Sequence, residues 1–267
     1  LADELAGWIS SHDGLYPAYN ATFAPWSANI NYLHCPSDPN SLLPASSNKY
    51  AIKTNYVGCC GDTTAIHYSC LNKRGFFGGG WGTDDKGTRA ESIVCRDFSD
   101  LEDGTSNTIA FSEKVTSDFS GTRLIKVAMI PSVRPGNTNG EPAYCMVQRD
   151  TLDPYLIPAG VVNKTDTCGY GYFWCYTGYV LCNTILPPNA PSCSSDSWWE
   201  SAGYYTVSSN HSGGANVLKA DGSVMFVSDT INTGSTSHNS ASDPFGVSPF
   251  GVWGALGSIN GGESVAP

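Results

Sequence analysis

Charge is scarce in this sequence. Only 14% of its 267 residues are Asp, Glu, Lys or Arg, and 24 acidic against 14 basic residues leave a net charge of −10. So few Lys and Arg, with no basic run, exclude a nucleic-acid binder, whose partner's phosphates demand a cationic surface. The same balance argues against binding anionic lipid headgroups. Long apolar runs are also missing. No stretch approaches the roughly 20 apolar residues of a membrane-crossing helix, and no signal peptide is read at Leu1.

Catalytic signatures are equally sparse. There is no G-x-S-x-G nucleophile elbow. The glycine-rich FFGGGWG at 76–82 lacks both the strand-then-helix context and the Lys-Ser/Thr of a phosphate loop. It reads as a tight loop whose aromatics pack on a sheet. Cys168, Cys175, Cys182 and Cys193 stand too far apart for the C-x2-C knuckles of a zinc ribbon. The sequence also holds no D-x-D-x-D-G calcium loop, although Asp84, Asp85, Asp100 and Asp103 supply scattered oxygen ligands. The expectation is no cofactor, with calcium as the weak alternative, and no enzymatic activity.

What remains is abundant in glycine (29), tyrosine (14), tryptophan (7) and cysteine (10). That profile suits a loop- and strand-rich extracellular protein. Ten cysteines point to an oxidising compartment, making Cys35, Cys59, Cys60, Cys70, Cys95, Cys145, Cys168, Cys175, Cys182 and Cys193 disulfide candidates whose pairing the sequence leaves open. Pairing Cys35 with Cys59 or Cys60 would staple the loop at 18–44 to the strand expected over 50–58.

The most informative stretch is 209–227, SNHSGGANVLKADGSVMFV. Two β-prone runs flank Asp221-Gly222, which predicts a hairpin with a two-residue turn and positive φ at both turn residues. Val224 and Phe226 share one face of the returning strand, while Met225 and Val227 share the other. Apolar residues on both faces predict a strand covered on both sides. His211 precedes Asp221 by ten positions. Its expected role is structural, with the ring bonded to a carbonyl or a carboxylate near 103–108; as a lone catalytic base it lacks partners in sequence.

The His211…Asp221-Gly222 spacing resembles the closing H-x9-DG signature of a large bacterial pseudopilin-like family. Its members carry a prepilin-type N-terminal helix, as type IV pilins and type II secretion major pseudopilins do, followed by a domain of unknown function. Cys35-Pro36-Ser37-Asp38-Pro39 is similar to its CPSDP, and Asn55-Tyr56-Val57-Gly58 with Gly61 to its NYxG. Asp103-Gly104-Thr105-Ser106-Asn107-Thr108 followed by Glu113 resembles DGTSNT…E. Trp253, Ala255-Leu256-Gly257-Ser258 and Gly261-Gly262-Glu263 resemble the closing run.

The resemblance implies an α+β fold, with a pilin-like N-terminal helix packed on a mainly antiparallel β-sheet. Residues 1–17 would be the distal part of that helix, ending at Gly14-Leu15-Tyr16-Pro17, and 18–267 a single β-rich domain. Within it, 131–200 reads as a disulfide-rich surface insertion. The implied function is a structural subunit of a pilus-like or pseudopilus-like filament on the bacterial cell surface. Its partners would be copies of itself, and it would meet the membrane only through a precursor helix preceding Leu1. An adhesin or glycan-binding module using the aromatic insertion is the alternative.

Overall fold

The computed structural model describes residues 3, 7, 28–42, 53–64, 74–77, 80–83, 89–92, 97–117, 121–133, 141–163, 168–169, 177–196, 201–238 and 246–263. The fold is α+β, with few short helices and mixed sheets in which antiparallel pairing dominates. The expected N-terminal helix lies outside the described residues, apart from the helical backbone at Asp3 and Gly7.

The main sheet has five strands: β1 (Tyr56–Cys59), β4 (Ile109–Glu113), β6 (Leu181–Cys182), β9 (Gly214–Lys219) and β10 (Val224–Ser228). Their spatial order is β10-β9-β4-β1-β6, antiparallel throughout except for the parallel β1/β6 pair. A second sheet is the hairpin of β2 (Gly80–Thr83) and β3 (Arg89–Ser92). The third orders β5 (Met129–Ile130), β7 (Ser192–Ser194) and β8 (Gly203–Tyr204). Helices α1 (Pro142–Met146), α2 (Thr177–Val180) and α3 (Gly251–Gly257) fill the connections.

One face of the main sheet is packed. Val57, Ile109, Val217 and Val227 meet Trp253 and Leu256 of α3. The closing segment, expected as a glycine-rich run, forms this helix because its glycines allow close approach: a Cβ on Gly257 would stand 1.9 Å from Thr184 Oγ1. Trp253 is the anchor, its indole Nε1 donating to the Leu186 carbonyl at 2.8 Å. A second core joins Ile125, Ile130, Ile157, Ile185, Leu186 and Phe250 around Cys145 and Cys193.

Cys145 and Cys193 form a disulfide across a separation of 48 residues. Closing a loop of that length removes about 4 kcal/mol of unfolded-chain entropy in the loop-closure picture. The stretch 131–200, expected as a surface insertion, supplies β6 to the main sheet and β7 to the third. Cys182 accordingly lies in the main core.

Two local expectations are corrected. The β9–β10 turn is longer than a two-residue Asp-Gly turn: Leu218 pairs with Val224, and Lys219 N donates to Ser223 O at 2.9 Å. Among the two central residues only Gly222 has positive φ, at 87°. That is the longer hairpin turn, with glycine alone in the left-handed position. Of the strand expected over 50–58, residues 50–52 lie outside the described residues, Lys53 makes a β-bridge, and the regular ladder runs from Tyr56, since Asn55 N is turned to Leu33 O at 2.8 Å.

The returning strand is also covered on one face only. Val227 is buried, whereas Val224 is 68% and Phe226 50% exposed. Register places Leu218 and Phe111 on the same outward face. Phe77 from the glycine-rich segment stacks edge-on against Phe111 at 4.7 Å, so the expected aromatic packing on the sheet is present there.

Candidate functional site

The sequence motifs gather at the two ends of β4. At its C-terminal end the CPSDP loop, Asn55, Glu113 and His211 meet. Asp38 is the hub of that loop. Its Oδ2 accepts from Asn55 Nδ2 (2.7 Å), Thr116 N (2.8 Å) and Thr116 Oγ1 (2.9 Å), while Oδ1 accepts from Asn40 N (3.0 Å). Asn55 joins three segments: its Oδ1 accepts from Cys35 N at 2.8 Å, and its Nδ2 also donates to Lys114 O at 2.8 Å. Each buried polar atom thereby replaces its lost water contacts, which is the condition for burying such groups at all. Pro36 follows Cys35 within the turn that Asp38 N closes onto Cys35 O at 3.0 Å.

Glu113, the last residue of β4, faces outward beside β9. Its two oxygens accept from Asn216 N (2.9 Å) and Asn216 Nδ2 (3.0 Å). His211 Nε2 stands 3.3 Å from Glu113 Oε1. The expected carboxylate partner of His211 therefore exists, but it is Glu113 rather than a residue of the turn at 103–108. The segment before β9 is held by His211 N donating to Ser209 Oγ (3.1 Å), and Asn210 Nδ2 reaches Ser37 O at 3.1 Å. Burial first, then the nearby Cys35 and Glu113, raise the pKa of the Tyr56 phenol.

Cys35 carries a free, buried thiol at this junction, so it is bonded to neither Cys59 nor Cys60. Cys35, Glu113 and His211 each point one ligand atom inward, and these atoms lie within 4.8 Å of one another. A cavity of about 10 Å³ adjoins them, lined by Cys35, Asp38, Asn55 and Glu113 among others. That is room for one water or one ion.

At the opposite end of β4 the DGTSNT turn meets the hairpin turn and the closing glycines. Asp103 accepts from Gly261 N (2.7 Å) and Gly262 N (2.8 Å). Asn107 Nδ2 donates to Asp103 O at 2.8 Å, and Gly104 takes φ 91° inside the turn. Asp221 N donates to Thr105 O at 3.1 Å. The Asp221 carboxylate accepts from Ser223 Oγ and N, which lowers its pKa.

Of the calcium candidates, Asp84 and Asp85 lie outside the described residues. Asp100 caps a short 3-10 turn by accepting from Asp97 N at 3.0 Å, and Asp103 is taken up by the closing glycines. Of the disulfide candidates, Cys70, Cys95 and Cys175 lie outside the described residues, as does the aromatic run beyond Gly169 and the pair Trp198-Trp199.

Four separated motifs converge into two hydrogen-bonded junctions, and a family match accompanies them. The family described as "Protein of unknown function (DUF1559)" matches residues 8–234. The chain belongs to the DUF1559 family. No curated protein and no solved structure matches it.

One buried DUF1559-chain feature has no sequence signal. Arg74 Nε and Nη2 clasp Asp62 Oδ1 and Oδ2 at 2.6 and 2.7 Å, and Nη1 donates to Gly246 O at 2.7 Å. Burial opposes the charge on Arg74, but Asp62, with Glu263 and Asp103 nearby, outweighs it and raises the guanidinium pKa. Neither residue sits in a recognisable motif; only the juxtaposition of the loops makes the pair.

Proposed function

We propose that this chain is a non-enzymatic structural subunit of a pilus-like or pseudopilus-like filament at the bacterial cell surface, assembling with copies of itself. The observation that carries the reading is the outward face of the main sheet. Val224, Phe226, Leu218, Phe111 and Tyr56 share that face, and among the described residues no strand pairs with the outer edge of β10. Apolar strands patterned for two-sided cover, yet open on one side, mark an interaction surface. A strand edge of that kind beside it offers backbone donors and acceptors, which monomeric proteins usually guard.

The motif residues fit the same reading. Asp38, Asn55 and Asp103 spend their polar atoms on internal ties, the economy of a rigid building block. The Cys145–Cys193 crosslink suits an oxidising, extracellular setting. Negative-stain electron microscopy of the native protein, sheared from cells, tests the proposal. Filaments containing this chain are expected; a monodisperse monomer with its complete N-terminus would refute it.

A further inference from the structure

We propose that Cys35, Glu113 and His211 form a binding site for a single zinc-like divalent cation, with its fourth position open to solvent. The proposal is independent of the filament reading, since it concerns ions rather than chain-to-chain contact.

Three observations carry it. The first is donor chemistry: one thiol sulfur, one imidazole nitrogen and one carboxylate oxygen converge within 4.8 Å. Zinc takes that mixed set, with bonds of about 2.3 Å to sulfur and about 2.0–2.2 Å to nitrogen and oxygen. Two such nitrogen and oxygen ligands around a tetrahedral centre stand about 3.3 Å apart. His211 Nε2 and Glu113 Oε1 are separated by 3.3 Å. A charge-assisted hydrogen bond between them would close to about 2.7–2.9 Å.

The second observation is the Cys35 thiol. It is 92% buried (8% exposed), points into the cluster, and makes no disulfide or hydrogen bond among the described residues. The third is preorganisation. Asn216 donates to both Glu113 oxygens and fixes the carboxylate, while Asn55 Oδ1 holds the Cys35 backbone. Such outer partners orient metal ligands and raise their affinity. The His211 side chain is 37% exposed, which leaves the site a route to solvent.

The rival chemistry for these residue types is a Cys–His–Glu nucleophilic relay. A relay needs the imidazole between thiol and carboxylate and a cleft for substrate. Here the three ligand atoms lie within 4.8 Å of one another, and the adjoining cavity of about 10 Å³ has room for one ion or water but not for a substrate. Binding would convert the Cys35 thiol to a zinc-bound thiolate and release its proton to buffer.

The test uses the full chain, stripped with chelator and titrated with zinc and with cobalt(II). One equivalent of zinc should bind, and the cobalt form should show the thiolate charge-transfer band and intense visible absorption of a tetrahedral centre. Cys35→Ser should abolish the charge-transfer band, and His211→Gln should weaken zinc at least tenfold. Both variants leave Glu113 and its ties to Asn216 intact, and a thermal melt without metal verifies their folding. No binding at micromolar zinc, an octahedral cobalt spectrum, or affinity unchanged in both variants would overturn the proposal.

Discussion

Asp38 and Asn55 meet through a 2.7 Å hydrogen bond that is fully buried, and Thr116 closes on the same carboxylate oxygen at 2.8 and 2.9 Å. This one carboxylate fastens the CPSDP loop to the bend just before β1 and to the chain leaving β4. Asp38→Ala leaves Asn55 Nδ2 with Lys114 O as its remaining acceptor and strands both Thr116 donors. Losing a charged acceptor that serves several buried donors should cost about 3 kcal/mol or more. Urea unfolding followed by near-ultraviolet circular dichroism should show the midpoint falling, with a conservative Asp38→Asn intermediate.

Arg74 and Asp62 make the complementary case. Removing one partner leaves a buried charge uncompensated, so Arg74→Met should cost about 3–5 kcal/mol. The double change Arg74→Met with Asp62→Leu should recover much of that loss. Equal destabilisation by the single and double variants in a denaturant series would contradict the account.

His34 gives the fold an acid-sensitive point. Its ring nitrogens are buried without hydrogen-bond partners among the described residues, and burial lowers its pKa against the opposing pull of Asp38. Lys53 reinforces the lowering. A histidine whose folded pKa lies below its unfolded value binds its proton first in the unfolded chain. Stability from this group is therefore complete above pH 6.5 and falls as the pH drops below it. Melting temperature measured from pH 7.5 to 5 should decline, and His34→Phe should flatten that part of the slope.

Cys59 and Cys182 are directly opposed on the parallel strands β1 and β6, both buried in the main core. The side-chain hydrogen bond between Cys182 and Cys59, followed by burial, raises the Cys182 thiol pKa well above its ordinary range. Glutathione disulfide should oxidise this pair slowly, linking the two sulfurs and releasing two glutathiones. Peptide mapping without reduction is expected to find the Cys59–Cys182 crosslink after partial unfolding and refolding. Recovery of both thiols unmodified after that cycle would rule it out.

The local parts of the structure were legible in the sequence. The β9–β10 hairpin follows from the β-prone runs on either side of Asp221-Gly222. Trp253 stood out in the closing run, yet its helix was hidden by glycines that lie against Thr184 and Ser248. What escaped were relations between distant segments. Nothing at Asp62 or Arg74 announces a partner, and Lys53 and Lys114 are buried against the usual preference for exposed lysine. Lys114 tolerates this by donating to Thr206 O and Ser192 Oγ. The Cys145–Cys193 pairing was equally unreadable, because closure entropy varies too slowly with loop length to select one partner from many. The meeting of His211 with Glu113 was expected in kind but placed on the wrong residue. Strand register, rather than sequence spacing, decides which carboxylate reaches the ring.

The open face of the main sheet is where the assembly reading is most exposed to test. A charge at Val224 or Phe226 should leave the monomer folded, since both side chains point away from the core. Wild-type protein with its native N-terminus and the double variant Val224→Asp, Phe226→Asp should be compared by electron microscopy and thermal melting. The account predicts filaments for the wild type, none for the variant, and melting temperatures within a few degrees. Filaments of unchanged length and number from a folded variant would contradict it.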